Sequence, residues 1–185
     1  NSKNKLSKLY PLTGKKLIFV GLSRWGKNDE EWIPKLIHFC SKNNYDLIIK
    51  IHPIYKVSMK KIHENKINLI KKQCTGLNYK ITYDIDPSLL LESADLVISD
   101  HSNLLIEGIL LGKQFVIVNF QNENLDFLKK SLNLPNFNSV TTFLQLENII
   151  MNRFSNSNNF REFDKSFLQW ALEFNFLTNT FTTEF

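Results

Sequence analysis

Only two cysteines, Cys40 and Cys74, occur among the 185 residues. Two cysteines make neither a disulfide framework nor a four-ligand zinc site, so a reducing cytoplasm is the simplest compartment. No cluster of histidines, cysteines or carboxylates has the spacing of metal ligands, and we expect no metal and no cofactor. We find neither a Walker lysine loop nor the pattern GxGxxG, which leaves P-loop and ordinary dinucleotide-binding proteins without support.

Long apolar runs and a concentrated basic segment are missing too. No run approaches the ~20 apolar residues that span a bilayer, and the polar segment 1–16 has no signal-peptide core. The chain has 23 Lys and Arg against 18 Asp and Glu, a net charge of +5 that favours anionic ligands. Because no basic arm is present, we expect no nucleic-acid partner. We expect a cytoplasmic protein, with peripheral association at the inner face of the cell membrane as the alternative.

Strand and helix patterns alternate along the chain, and the 43% hydrophobic content can form one sizeable core. The strands are continuous apolar runs, which indicates burial on both faces and predicts a parallel, doubly wound, Rossmann-like α/β sheet. The predicted strands are Leu17–Val20, Leu47–Ile51, Tyr79–Tyr83, Asp95–Ser99 and Phe115–Asn119. The predicted helices begin near Glu30 and cover Ser58–Lys72, Pro87–Leu91, Ser102–Leu111 (ended by Gly112), Leu125–Leu132, Thr142–Phe154 and Phe160–Phe174.

Polar residues follow four of these strands. In a parallel sheet the carboxyl ends of the strands meet at one edge, where loops and helix N-termini bind ligands. The four clusters are Gly21–Arg24, His52–Pro53, Asp84–Asp86 and Asp100–Asn103. The sequence therefore predicts a ligand site at this edge.

The cluster after the fourth strand predicts an anion site. Ser102 and Asn103 fall in the first turn of an apolar helix, where unpaired backbone N–H groups and the helix dipole favour an anion such as phosphate. Glu107 lies about one turn further and is the only charge on that helix. Its carboxylate could accept hydrogen bonds from the vicinal hydroxyls of ribose, or it could be a solvated surface group. Asp100, His101 and Ser102 also fit an ordinary helix cap.

Two further residues are candidates for phosphate chemistry. His52 could donate to a phosphate oxygen or carry a proton near neutral pH, although a histidine after a buried strand is often structural. Arg24 could contact a second phosphate or the acceptor, or be merely exposed. The candidate nucleotide-binding residues are Arg24, His52, Asp84, Asp100, His101, Ser102, Asn103 and Glu107, and His52 is also the candidate catalytic residue.

The segment KIHP (50–53), followed by ITYDIDPSLLLESADLVISDHSNLLIEGILLGKQFVIVNF (81–120), resembles the C-terminal nucleotide-binding domain of the CDP-glycerol glycerophosphotransferases. These teichoic-acid polymerases of the GT-B fold carry an Arg or Lys two residues before His-Pro, a D-I-x-x-L-L-x-x-A-D-x-x-I-T-D-Y-S-S run, an acidic residue on the next helix and LGKP. The similarity spans residues 17–120. In this chain His101 replaces the aromatic residue, Asn103 the second serine and Gln114 the proline.

The resemblance implies a CDP- or CMP-linked donor as substrate, with His52 and the Ser102–Asn103 turn near the diphosphate and Glu107 near the ribose. It implies no cofactor. The chain is similar, more distantly, to UDP-N-acetylglucosamine 2-epimerase and to capsule sialyl and Kdo transferases. The epimerase turn has a second glycine and an extra glutamate that this chain lacks.

A GT-B enzyme has two Rossmann-like domains, and this chain supplies one. We therefore expect a linker at 1–16, a donor-binding domain at 17–154, and a C-terminal helix at 155–185 that packs on this domain or on a missing N-terminal domain. The catalytic base and the polymer acceptor site would lie in that missing half. The expected function is transfer of glycerol-phosphate or a sugar in the synthesis of a cell-surface polymer. An epimerase and a non-catalytic nucleotide-binding or scaffolding module are the alternatives.

Overall fold

Six parallel strands form the centre of the structure, a computed structural model that describes residues 2–13, 15–22, 28–52, 55, 60–100, 104, 107–108, 111–122 and 139–155. The strands are β1 (Leu17–Leu22), β2 (Asp46–Ile51), β3 (Lys80–Thr82), β4 (Leu96–Ser99), β5 (Phe115–Val118) and β6 (Ser139–Val140). Their order in the sheet is β3-β2-β1-β4-β5-β6, and every neighbouring pair is parallel. The predicted doubly wound parallel sheet is confirmed.

Helices lie between and beside the strands. They are α1 (Ser2–Leu9), α2 (Asp29–Lys42), α3 (Lys60–Gln73), α4 (Pro87–Ser93) and α5 (Phe143–Ser155), and Leu104, Glu107 and Gly108 are helical between β4 and β5. The five predicted strands and the helices that can be compared agree with these bounds to within about two residues. The two-residue β6 was not predicted, because so short a strand has no periodic pattern. The helices predicted at 125–132 and 160–174 lie outside the described residues.

The sheet is buried on both faces, and each face has its own apolar cluster. Every residue of β1, β2, β4 and β5 is buried. One face packs against α2, α3 and α5, through side chains such as Trp32, Ile70 and Ile150. The other packs against α1 and α4, through Leu6 and Leu90. Burial on both faces explains why the strands read as continuous apolar runs.

Helix α1 lies in the segment that we interpreted as a linker. Its Leu6 is fully buried in the cluster that contains Leu17 and Leu90, and the helix packs on α4. The ammonium of Lys3 also binds the carboxylate of Asp95, with 2.9 Å between Nζ and Oδ2. The sequence did not predict this helix, because its one buried residue, Leu6, is surrounded by polar residues and gives no helical periodicity of apolar positions. The division of the chain into domains stays a prediction.

Two carboxylates bind backbone and side-chain groups at the amino edge of the sheet. Asp95 accepts a hydrogen bond from the backbone N–H of Leu17, 2.8 Å away. Asp46 accepts from the backbone N–H of Thr13 at 3.1 Å and from the side-chain amide of Asn78 at 3.3 Å. The bond from Leu17 satisfies a backbone donor of a buried residue, which would be costly to leave unpaired. These carboxylates hold the N-terminal segment and the first strands together.

Replacing Leu6 by Ala tests whether α1 belongs to the folded unit. Because the side chain is 0% exposed, we expect the free energy of unfolding in urea to fall by about 2–5 kcal/mol. Leu9→Ala is the matched control, since Leu9 is 64% exposed, and its effect should stay within about 0.5 kcal/mol. Equally small effects of both substitutions would show that α1 does not contribute to the core.

Candidate active site

The direction in which the chain winds reverses between β1 and β4. From β1 it moves outward to β2 and β3, and from β4 it moves the other way to β5 and β6. Ligands in such sheets bind outside the carboxyl ends of the strands at this switch point, where the loops diverge. The hydroxyl of Ser99, the last residue of β4, donates a 2.7 Å hydrogen bond to the carbonyl of Gly21 in β1. This buried bond ties the two strands together directly below the crevice.

Polar residues line one face of the sheet just below that edge. Thr82, Lys50, Gly21 and Ser99 are consecutive Cα partners across β3, β2, β1 and β4. Partners in parallel register project to the same face, here the face of α1 and α4. We call these four residues the polar row. Sequence reasoning missed Lys50 as a site residue, although a lysine inside a strand buried on both faces was the available signal.

Gly21 lets the helical segment after β4 approach β1. A Cβ at this position would lie 2.4 Å from Cδ1 of Leu104 and 3.1 Å from Cζ of Phe19. Contacts below 3.0 Å require a neighbour to move. Leu104 therefore covers the polar row at Gly21, and glycine is required here for space.

Substituting Gly21 by Ala should lower the free energy of unfolding by about 1–3 kcal/mol, since overpacking forces side chains out of their rotamers. The double variant Gly21→Ala/Leu104→Ala should lose less than the sum of the single variants, because the shorter side chain makes room for the methyl group. Chemical unfolding of all three variants measures this coupling. Gly108→Ala is the control, because its Cβ would meet Leu91 at an ordinary 3.6 Å. Strict additivity would contradict the close approach.

His52 directly follows β2 and is exposed, at the edge where the sequence predicted it. Its carbonyl accepts a hydrogen bond from the backbone N–H of Tyr55 at 3.1 Å. The Tyr55 ring lies 6.5 Å from the His52 ring and 4.0 Å from the ring of His63, which is buried on α3. The chain leaving β2 is thus anchored on α3 through Tyr55. The role of His52 in binding or catalysis stays a prediction.

The other described candidates differ in their distance from the crevice. Adjacent strands are about 4.8 Å apart, so the ends of β2 and β4, on either side of β1, are about 10 Å apart. His52 and the half-buried Asp100 stand at those two ends. Asp84 follows β3 at the margin of the sheet, about 14 Å from β4 by the same spacing. The structure therefore places His52 and Asp100 at the strand ends on either side of β1 and leaves Asp84 further out.

Glu107 is helical and exposed, three residues after Leu104. One turn separates these two residues, so a carboxylate at Glu107 lies one turn beyond the side chain that covers Gly21. Arg24, His101, Ser102 and Asn103 lie outside the described residues. Their predicted contacts with a nucleotide therefore stay predictions, as does that of Glu107.

The N-terminus of α2 is a second helix end at this edge, but it is already acidic. Asp29, Glu30 and Glu31 occupy its first turn, and the indole N–H of Trp32 donates to the Asp29 carboxylate at 2.7 Å. Residues 21–28 have the glycine and lysine spacing of a P-loop, with Asn28 where that motif has Ser or Thr. Three carboxylates offset the helix dipole and repel an anion.

The element Leu111–Gln114 lies at the opposite edge of the sheet, before β5. Gly112 has φ +64, and the N–H of Lys113 donates to the carbonyl of Gly108 at 2.8 Å, as in a Schellman C-cap. This confirms the predicted helix end. The Lys113 ammonium donates to the carbonyls of Glu92 (2.7 Å) and Ala94 (3.3 Å) at the end of α4. The element is structural.

A groove of about 370 Å³ lies along the outer margin of the sheet, between α3 and β3. Its lining is formed by Glu64, Ile67, Asn68, Lys71, Ile81 and Tyr83. Burial and the charge of Glu64 raise the pKa of Tyr83. The groove is two strands away from β1, so it is separate from the crevice.

His63 is a buried titratable group beside the candidate site. Burial, and then the charge of Lys66, lower its pKa. Lys66 itself forms an ion pair with Glu30, with 3.2 Å between Nζ and Oε1. His63 is therefore favoured in its neutral form in the folded protein, a structural role.

We expect acidification to destabilise the fold through His63. Its pKa is lower in the folded state than the ordinary ~6.5, so the unfolded state binds more protons between these two values. The free energy of unfolding should therefore fall as the pH drops from about 7 through that window. His63→Gln should reduce the slope, while His38→Gln, at an exposed position on α2, should not. Equal slopes in both variants and the parent, in urea unfolding at several pH values, would contradict this.

Among the described residues, no group of three or more histidines, cysteines or carboxylates is placed to hold a metal ion. Within the same residues, no helix is both long and apolar enough to cross a membrane.

Comparison with known proteins places the fold. No family model and no curated protein matches the chain. It is similar to the C-terminal CMP-Kdo binding domain of WaaA from Acinetobacter baumannii, with a TM-score of 0.59 and 11% identity over 92% of this chain and 94% of that one. It is also similar to UDP-GlcNAc 2-epimerase from Neisseria meningitidis (TM-score 0.57, 12% identity, 91% of this chain and 42% of that one). The wall teichoic acid polymerase TagF matches with TM-score 0.57 and 13% identity over 94% of this chain and 41% of that one.

These similarities show a fold shared with GT-B glycosyltransferases and with the epimerases. The chain spans about two-fifths of the epimerase and polymerase chains, and nearly all of the WaaA domain. At 11–13% identity they show the fold alone, and function has to be argued from the site.

Proposed function

We propose that this chain is the donor-nucleotide-binding domain of a GT-B transferase, and that the transferase moves glycerol-phosphate or a sugar from a CDP- or CMP-linked donor. The acceptor would be a growing cell-surface polymer of the teichoic-acid or capsule type. The acceptor site and the catalytic base would belong to an N-terminal domain, and membrane association would be peripheral.

The observation that carries this proposal is the reversal of the winding direction between β1 and β4, the place where sheets of this kind bind ligands. His52 and Asp100 stand at the strand ends on either side of β1, and the helical residues Leu104 and Glu107 follow on the chain from Asp100. The segment 102–106, where the sequence predicts the start of the helix after β4, has no acidic residue, whereas α2 has three in its first turn. A diphosphate is favoured at the first of these helix ends. The solved structures of similar fold include a CMP-Kdo binding domain and a wall teichoic acid polymerase soaked with CDPG.

The chemistry would consist of positioning and charge stabilisation. Negative charge develops on the nucleotide diphosphate as it departs, and the helix-terminal amides would hold that charge without reorganising. The His52 imidazole would donate a hydrogen bond to a phosphate oxygen. The Glu107 carboxylate would accept hydrogen bonds from the ribose hydroxyls. We assign the step no metal ion and no cofactor.

An epimerase is the second candidate, because the N. meningitidis epimerase matches as well as TagF, with a TM-score of 0.57 in both cases. Such an enzyme would bind UDP and would need no polymer acceptor. The missing second glycine and glutamate after Ser102 count against it.

Calorimetric titration of the chain with CDP, CMP, UDP and GDP tests the proposal. We expect cytidine nucleotides to bind in preference to the others. Binding of UDP alone would favour the epimerase or a UDP-sugar transferase. Failure of all four nucleotides to bind would overturn the donor-binding function in favour of a scaffold.

Substitutions in the site should weaken CDP binding selectively. Removing a hydrogen-bonding group should cost about tenfold in affinity, or about 1.4 kcal/mol. We expect this for Glu107→Ala through the ribose and for His52→Ala through the phosphate. Glu147→Ala on α5 and His38→Ala on α2 are the matched controls and should bind like the parent. CDP affinity unchanged in both site variants would remove these residues from the site.

A further inference from the structure

Lys50 is a buried lysine one position before the end of β2. It is 7% exposed, in a strand whose six residues are all buried. Lysine is almost never buried to this extent unless its ammonium is paired. Its Cα partners on the two sides are Gly21 in β1 and Thr82 in β3. The lysine therefore stands in the middle of the polar row, within one strand of the crevice.

The ammonium of Lys50 binds the turn that leads from β3 to α4. Its Nζ donates to the carbonyl of Tyr83 at 2.7 Å. The turn has further internal bonds, because the N–H of Asp84 donates to the Thr82 hydroxyl at 3.1 Å and the Asp86 carboxylate accepts the N–H of Ser88 at 2.9 Å. Asp86 is thereby the N-cap of α4. The Lys50 side chain therefore links β2 to the turn between β3 and α4.

The charges around Lys50 also link it to the turn between β3 and α4. Burial lowers the pKa of Lys50, and the carboxylates of Asp84 and then Asp86 oppose that shift. Both acids belong to the same turn as Tyr83, whose carbonyl the ammonium binds. Removing the ammonium would make the net charge of this margin of the sheet more negative by one and would disfavour an anionic ligand nearby.

We propose that Lys50 is a positioning residue: held on the Tyr83 carbonyl, it fixes the β3–α4 turn against the end of β2 and orients His52 two residues later. Its charge also offsets that of Asp84 and Asp86 at the outer margin of the carboxyl edge. The positioning part concerns the free chain. The effect on an anionic ligand rests on the proposed nucleotide-binding function.

The positioning part is tested in the free chain by NMR. Lys50→Met removes the ammonium and keeps an unbranched apolar stem. We expect the N–H groups of Asp84 and Ser88 to exchange at least about tenfold faster, because exchange reports local opening of the turn. The imidazole signals of His52 should shift. Lys50→Arg should restore much of both properties, and Lys80→Met, an exposed lysine on β3, should change neither.

The ligand part is tested by titrating the same variants with CDP. If the parent chain binds CDP, Lys50→Met should bind at least about tenfold more weakly and Lys50→Arg within about threefold, since the arginine retains the charge. Parent affinity in Lys50→Met would overturn the effect on the ligand. If the parent binds no nucleotide, the proposed function fails, and the exchange rates and His52 signals still decide whether Lys50 positions the turn.

Unchanged exchange at Asp84 and Ser88, together with unchanged His52 signals, would overturn the positioning role whatever the nucleotides do. Circular dichroism shows whether each variant folds. If Lys50→Met does not fold, Lys50→Gln replaces it, because a polar end group costs less to bury beside the carbonyl of Tyr83 and still lacks the charge. The expected exchange and chemical shift changes are then the same.

Discussion

The pairing of β1 with β4 is the constraint on which the candidate site depends. Helices pack on both faces of the sheet, so the carboxyl edge is where polar groups can meet a ligand. The winding direction reverses at this pair of strands, and the loops that follow them diverge. The buried bond from the Ser99 hydroxyl to the Gly21 carbonyl holds the two strands together beneath that opening. His52 and Asp100 are brought to its two sides only because of this pairing.

The charged residues at the two edges of the sheet differ in their contacts and in their exposure. At the amino edge, charged side chains satisfy backbone groups: Asp95 accepts from Leu17, Lys113 donates to the end of α4, and the buried Arg153 donates to the carbonyl of Phe115 at 2.6 Å. The hydrogen bonds of these side chains stabilise the fold. At the carboxyl edge, His52 and Glu107 are exposed. The charged residues described at the amino edge are therefore structural, while His52 and Glu107 stay candidates for ligand contact at the carboxyl edge.

Lys50 is a charged residue of a core strand that binds a loop at the carboxyl edge. Burying an ammonium costs free energy, which a single hydrogen bond and neighbouring carboxylates offset only in part. A hydrophobic residue would serve the packing of β2 as well, so stability alone gives no reason for a lysine there. Its contact with the Tyr83 carbonyl joins a strand of the core to a loop at the site edge. Similarity at 11–13% identity shows the fold alone, so a function has to be argued from local features of this kind.

The sequence by itself determined the fold class, because apolar runs such as LIFV and LVIS, separated by helical patterns, can be satisfied only by a sheet covered on both faces. It also located the polar strand ends at His52 and Asp100, since parallel strands end at a common edge. Tertiary structure alone decided the strand order, the Ser99–Gly21 bond and the partner of Lys50, because these depend on which strands become neighbours. It also placed α1 against the core through the buried Leu6. The burial of Leu6 could not be predicted from the sequence, because the residues around it are polar.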